Sequence, residues 1–233
     1  MKSSRFVIPW ILFLSLGGCA PSHITKEEFA PEMYTEKPVS ILVLPPINKT
    51  TAADAKEYYA TTVAEPLTNS GYYVYPMEVV YDILQQEGLF DTETMMNVPP
   101  QKFGEYFGAD AVLYVTLLEW NTHYFLTSGN VTVKAACELR STHTGNLIWF
   151  YDEAVEVSTT GDTGGAGGIA GLLVQAITTA VKTATQSYIP VARDASAKIF
   201  LAMPFGKYHK QFGQDRKSQV EKKENPTQQE KAK

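Results

Sequence analysis

Apolar residues recur along this chain in two periods, and the change from one to the other outlines the fold. Residues 39–44 and 111–120 are almost continuously apolar, the pattern of strands covered on both faces of an α/β sheet. Pro45 and Pro46 stop the first of them. Residues 130–142 alternate instead. Val131, Val133, Ala135, Cys137 and Leu139 point one way and Thr132, Lys134, Glu138 and Arg140 the other, which predicts a half-buried antiparallel strand. A turn at Thr144, Gly145 and Asn146 leads into a further strand over 147–158. There the period-two reading puts Ile148, Phe150, Asp152 and Ala154 on one face, against Trp149 and Tyr151 on the other.

Between the strands the spacing lengthens to three and four. Ala55, Tyr59, Val63 and Leu67 predict a helix over residues 53–70, kinked by Pro66 and capped by Gly71. Tyr72, Tyr73, Val74 and Tyr75 make a short aromatic strand closed by Pro76. Val79, Val80, Ile83 and Leu84 mark a second helix ending at Gly88, and a shorter one covers residues 100–107 before Gly108. After the glycine-rich residues 161–168, Ile169, Leu172, Leu173, Ala176, Ile177, Ala180 and Val181 hold three–four spacing. A last helix follows Pro190 and runs to about residue 202. The order β-α-β-α-(α)-β-β-β-α predicts an α/β (α+β) domain with a single mixed sheet.

The two ends follow other rules. Lys2 and Arg5 flank an apolar run over residues 6–16, after which come Gly17, Gly18 and Cys19. Residues 1–18 therefore read as a signal peptide, too short and wrongly flanked for a spanning helix. With a cysteine at the cleavage point the segment resembles a bacterial lipoprotein signal, although Gly17 departs from the usual Ala, Ser or Thr. That resemblance implies cleavage before Cys19 and acylation of its sulfur and amine by fatty chains such as palmitate. Ala20 stands where Asp tends to retain lipoproteins in the inner membrane, so the resemblance favours the outer membrane, with the domain on the periplasmic face. Residues 19–37 are polar and read as a lipid-anchored tether, 38–204 as the globular domain, and 205–233 as a disordered charged tail.

Composition narrows the chemistry. A net charge of −5 argues against a nucleic-acid partner. There are two cysteines, so lipidation of Cys19 leaves Cys137 without an intramolecular disulfide partner. On the apolar side of its strand, Cys137 reads as a small buried hydrophobe. Residues 165–170 fit G-x-G-x-x-A, but no parallel strand bearing an acid follows, and a dinucleotide site is not expected. The four histidines lack metal-ligand spacing, and the neighbours Asp152 and Glu153 face opposite ways on a strand. No G-x-S-x-G elbow occurs. The expectation is a protein that is not an enzyme, has no metal site, and carries no cofactor beyond the covalent lipid at Cys19.

Three stretches carry a further resemblance: Val43-Leu44-Pro45-Pro46-Ile47-Asn48-Lys49-Thr50, then Glu65-Pro66-Leu67 with Gly71-Tyr72-Tyr73-Val74-Tyr75-Pro76, and Gly108-Ala109-Asp110-Ala111-Val112-Leu113-Tyr114-Val115. They resemble a family of Gram-negative outer-membrane lipoproteins encoded near curli-secretion-type lipoproteins and including a meningococcal vaccine candidate. The resemblance runs from Cys19 to about Phe205. It implies a fold similar to the amino-terminal domain of TolB, to the curli secretion lipoprotein and to the outer-membrane activators of peptidoglycan synthases. It also implies protein–protein work rather than catalysis.

The leading expectation is therefore a lipid-anchored periplasmic adaptor that assists assembly or stability of a cell-envelope or secretion complex. Its partners would be the membrane, through the anchor, and an envelope protein such as a curli-secretion-like lipoprotein, with homo-oligomerisation left open. The alternative is a cell-wall-associated binding module or enzyme acting on a small molecule or glycan. Candidate interface residues are Tyr72, Tyr73, Tyr75, Leu172, Leu173 and Ile177. The uncharged stripe over 164–181 has three candidate placements: on its own sheet, in a subunit interface, or in lipid.

Overall fold

The computed structural model describes residues 22–124, 129–158 and 188–222. The signal segment, Cys19 and the stripe bearing Leu172, Leu173 and Ile177 lie outside these residues. The amino-terminal elements are β1 (Ser22–Thr25), α1 (Lys26–Phe29), α2 (Pro31–Glu36), β2 (Ser40–Val43) and β3 (Ile47–Asn48). Helices α3 (Ala55–Ala60) and α4 (Ala64–Asn69) precede β4 (Tyr73–Val74), followed by α5 (Met77–Gln86), α6 (Thr92–Met95) and α7 (Pro100–Phe107). The carboxy-terminal half holds β5 (Ala111–Tyr124), β6 (Gly129–Ser141), β7 (Leu147–Tyr151), β8 (Ala154–Ser158), α8 (Ile189–Phe200) and β9 (Gln219–Lys222).

The principal sheet is mixed, in the order β4-β2-β5-β6-β7, with β3 also on β5 and β8 also on β6. Strand β2 runs parallel to β4 and β5, and β5 to β8 are joined by antiparallel pairings through β6. The period of two explains the two cores. Ile41, Val43, Leu113, Val115 and Leu117 face one side, where they meet Tyr59, Val63 and Leu67 of the α3–α4 segment and Val191, Ala195 and Ile199 of α8. Leu42, Leu44, Val112 and Tyr114 face the other, under Val80, Leu84, Met95 and Phe103 from α5, α6 and α7. The expected mixed α/β architecture is present.

Five expectations are corrected. The helix over 53–70 is two short helices separated at residues 61–63, with the predicted apolar stripe still buried. The strand over 147–158 is two strands, because Asp152 and Glu153 interrupt it. Its face assignment fails as well. Pairing jumps from Leu139↔Trp149 to Arg140↔Leu147, so Ile148 is an extra residue and both Ile148 and Trp149 turn inward, leaving Phe150 40% exposed.

The other two concern the ends. Residues 22–37 do not hang as a tether: β1, α1 and α2 are folded, and Ala30 and Met33 are buried in the main core. Nor is the described part of the tail disordered. β9 pairs antiparallel with β1, Ser22 standing opposite Lys222, and Val220 is buried. Hydrogen bonding to a partner strand, and not bulk hydrophobicity, orders these polar residues.

Candidate functional site

The two ends meet through a buried ion pair. Helix α1 starts with a reciprocal cap: the Thr25 hydroxyl accepts from the Glu28 N–H at 3.2 Å, and the Glu28 carboxylate accepts from the Thr25 N–H at 2.8 Å. The next residue, Lys26, is 6% exposed. Its Nζ donates to the Met203 carbonyl at 2.7 Å, lies 3.5 Å from Asp215 Oδ2, and sits 4.7 Å above the centre of the Phe205 ring. Burial pulls the Lys26 pKa down, against the attraction of Asp215. Asp215 Oδ2 also accepts from the Phe205 N–H at 2.8 Å. Asp215 Oδ1 and the Tyr34 hydroxyl are buried with no hydrogen-bond partner among the described residues. Burial and the Asp215 charge together push the Tyr34 hydroxyl pKa up. Arg216 covers this cluster, paired with Glu27 and 4.5 Å over the Tyr34 ring.

Beside this cluster the carboxy-terminal segment runs along the edge of the sheet. Gly206 N–H donates to the Ser70 carbonyl at 2.8 Å and Tyr208 N–H to the Gly71 carbonyl at 3.0 Å. Gly71 has φ +86°, and a Cβ there would run into the His209 backbone. The candidate tyrosines divide accordingly. Tyr72 is core, with its hydroxyl donating to the Pro204 carbonyl at 2.7 Å, so its expected interface role is corrected. Tyr73 is 52% exposed and meets Tyr75 edge-on at 5.1 Å between centroids. A groove of about 630 Å³ opens between Tyr73 and Tyr208, with Asn69, His209 and Lys210 around it. His209 stacks on Phe205 at 3.7 Å, and its Nδ1 accepts from the Gln211 N–H at 3.1 Å. In the neutral ring this leaves the proton on Nε2.

Sequence reasoning missed Lys26, Asp215, Tyr208, His209 and Lys210. The readable signal was the T-x-x-E cap of Thr25 and Glu28, which announces a helix inside the supposed tether.

Cys137 is fully buried, as its alternation predicts, with its sulfur 4.0 Å from the Tyr59 hydroxyl. Burial pushes its thiol up to about 12, which suppresses the reactive thiolate at neutral pH. In a Cys19→Ser chain, maleimide is expected to label Cys137 only after denaturation. Mass spectrometry of native and urea-treated samples checks this, and fast native labelling would contradict the burial.

Asp110 ties two parallel strands. Its Oδ2 accepts from the Val39 N–H at 3.0 Å and from the Ser40 N–H and hydroxyl at 2.9 Å each. Partial burial would raise its pKa, but the donors of Ser40 and Val39 outweigh it and hold the pKa below the usual value. A depressed carboxylate contributes stability that is full above its unfolded pKa of about 4 and is lost as pH falls through the folded pKa. Asp110→Asn is expected to cost about 1–2 kcal/mol at pH 7 after allowance for solvent. The gap from the parent should close on acidification from about pH 5 toward 2, as read by urea melts at each pH.

Among the described residues no group of three or more His, Cys, Asp or Glu side chains is placed to hold a metal ion. No described helix is long and apolar enough to cross a membrane.

A family model described as "Putative lipoprotein GNA1162-like" matches residues 31–207. A lipoprotein of Neisseria meningitidis serogroup B, NMB1124/NMB1162, is 34% identical over 141 residues, covering 60% of this chain. The chain spans 64% of that relative's length. The crystal structure of lipoprotein GNA1162 from Neisseria meningitidis is similar at 31% identity and a TM-score of 0.48, covering 62% of this chain and 98% of that one. A PelC dodecamer structure from Paraburkholderia phytofirmans is similar at 13% identity and a TM-score of 0.45, covering 81% and 98%.

Proposed function

Because the chain belongs to the GNA1162-like lipoprotein family, we propose that it is a lipid-anchored, periplasm-facing outer-membrane adaptor that assists assembly or stability of an envelope complex. The carrying observation is the run Leu16-Gly17-Gly18-Cys19 behind an apolar segment, three residues ahead of the folded strand β1. Acylation of Cys19 supplies membrane affinity, since each buried methylene contributes about 0.8 kcal/mol and two or more chains make attachment durable. With so short a connection, at most about 11 Å of extended chain, the domain rides on the bilayer surface. An adaptor needs surface rather than a reacting centre, and the described residues fit that: their shifted groups are core tyrosines, a buried thiol, ion-paired lysines and carboxylates that accept backbone N–H groups. The partner class is another envelope protein, a curli-secretion-type lipoprotein being the one the resemblance favours.

Cys19→Ser tests the anchor. The variant is expected to leave the membrane fraction and to take up no radiolabelled palmitate; a variant that labels and sediments like the parent would refute lipidation. Pull-down of the anchored parent from solubilised envelopes should bring one stoichiometric protein, and recovery of the chain alone would count against the adaptor.

A further inference from the structure

We propose that the groove between Tyr73 and Tyr208 binds a saccharide, and that Lys210 biases it toward sugars bearing a carboxylate. The size is right for a small-ligand site, at about 630 Å³. The lining holds no Leu, Ile, Val or Met, and its large side-chain faces are the tyrosine rings. Tyr73 and Tyr208 leave 52% and 68% of their surfaces exposed. A sugar ring presents what the groove can use, a weakly apolar C–H face for a tyrosine ring and a rim of hydroxyls for polar groups.

Those polar groups are uncommitted. Among the described residues, the Asn69 amide and the Tyr73 and Tyr208 hydroxyls have no hydrogen-bond partner, and Lys210 makes no ion pair. The His209 ring is fixed by its stack on Phe205 and by the Gln211 N–H, which leaves Nε2–H as a donor held in one orientation. The floor is rigid because Gly71 and Gly206 let the two backbones touch. No acidic residue lines the groove, so the ammonium of Lys210 gives it a positive end. The ligand class suits the envelope placement proposed above, but its affinity is measured in solution. Failure of the anchor and failure of the groove are therefore separate results.

The full chain, solubilised in detergent, is titrated by calorimetry with two probes. One is the neutral β-1,4-linked tetramer of N-acetylglucosamine. The other is a tetrasaccharide alternating N-acetylglucosamine with N-acetylmuramic acid, which carries carboxylates. Saturable binding of both is expected, the acidic sugar tighter by about threefold to tenfold. Tyr208→Ala is expected to weaken both by about tenfold, and Lys210→Gln to abolish the preference while leaving the neutral sugar within about twofold. Both side chains are exposed, and an unchanged melting temperature verifies that each variant is folded. Three outcomes would overturn the proposal: no saturable binding of either sugar, affinities indifferent to Tyr208→Ala, or a groove that takes an unstructured acidic peptide in place of both.

Discussion

Asp215→Ala is expected to destabilise the domain by about 3–5 kcal/mol, because it strands the Lys26 ammonium in the interior. For a chain of this size that is a fall of roughly 6–20 °C in melting temperature. Lys26→Met should cost a similar amount for the mirror-image reason, leaving an already under-bonded carboxylate without its cation. The double variant, Lys26→Met with Asp215→Ala, is expected to recover much of the loss, since removing both charges also removes the cost of burying them. Urea denaturation of the four proteins gives the coupling directly. A loss in the double variant equal to the sum of the two single losses would mean that the two charges act independently. By the same logic, deletion of residues 211–222 is expected to be strongly destabilising, because it removes Asp215 and all of β9.

Gly71→Ala is the second change with a large expected effect, and Gly88 provides its control. The two glycines share a left-handed backbone, φ +86° and +85°. A Cβ at Gly88 meets nothing within 4 Å, so Gly88→Ala should cost only the conformational strain, about 1–2 kcal/mol. At Gly71 the same methyl would run into the His209 backbone, which cannot rotate away as a side chain could. Gly71→Ala should therefore exceed its control by at least about 2 kcal/mol, with residues 206–210 displaced. Amide exchange at Tyr208 and His209 reads the displacement, since the Tyr208 N–H then loses the Gly71 carbonyl. Equal losses for the two variants would show that the segment can shift cheaply.

What could be read from the chain was what depends on local period. The apolar runs of β2 and β5 and the alternation of β6 stand where expected, and Cys137 and Leu139 face the core as their spacing says. Ile148 shows where period fails, for one extra residue in β7 reverses the faces of Trp149 and Phe150 with no trace in composition. The ends failed for a different reason. Residues 205–222 are charged and poor in aliphatic side chains, which is the composition of disorder, yet Asp215, Val220 and the β9 backbone have partners nearly two hundred positions earlier. Order there is supplied by long-range pairing, and no window of sequence contains both halves. The groove was half legible: Tyr73 stood out as a surface aromatic, whereas Tyr208 and Lys210 reach it through the long-range bonds of Gly206 and Tyr208 to Ser70 and Gly71.

The pairing of β1 with β9 also has a mechanical side. Ser22 and Lys222 stand opposite each other at the open end of the ribbon, so the two chain ends leave the domain side by side. Tension between them would pull the ribbon apart like a zip, one rung after another from Ser22 inward, and would not shear several rungs together. Such a geometry yields to small forces at first. The Lys26–Asp215 pair, just past the last rung at Thr25, is the first firm stop. Tension between the two ends would thus pay out a few residues of slack before any load reached the principal sheet.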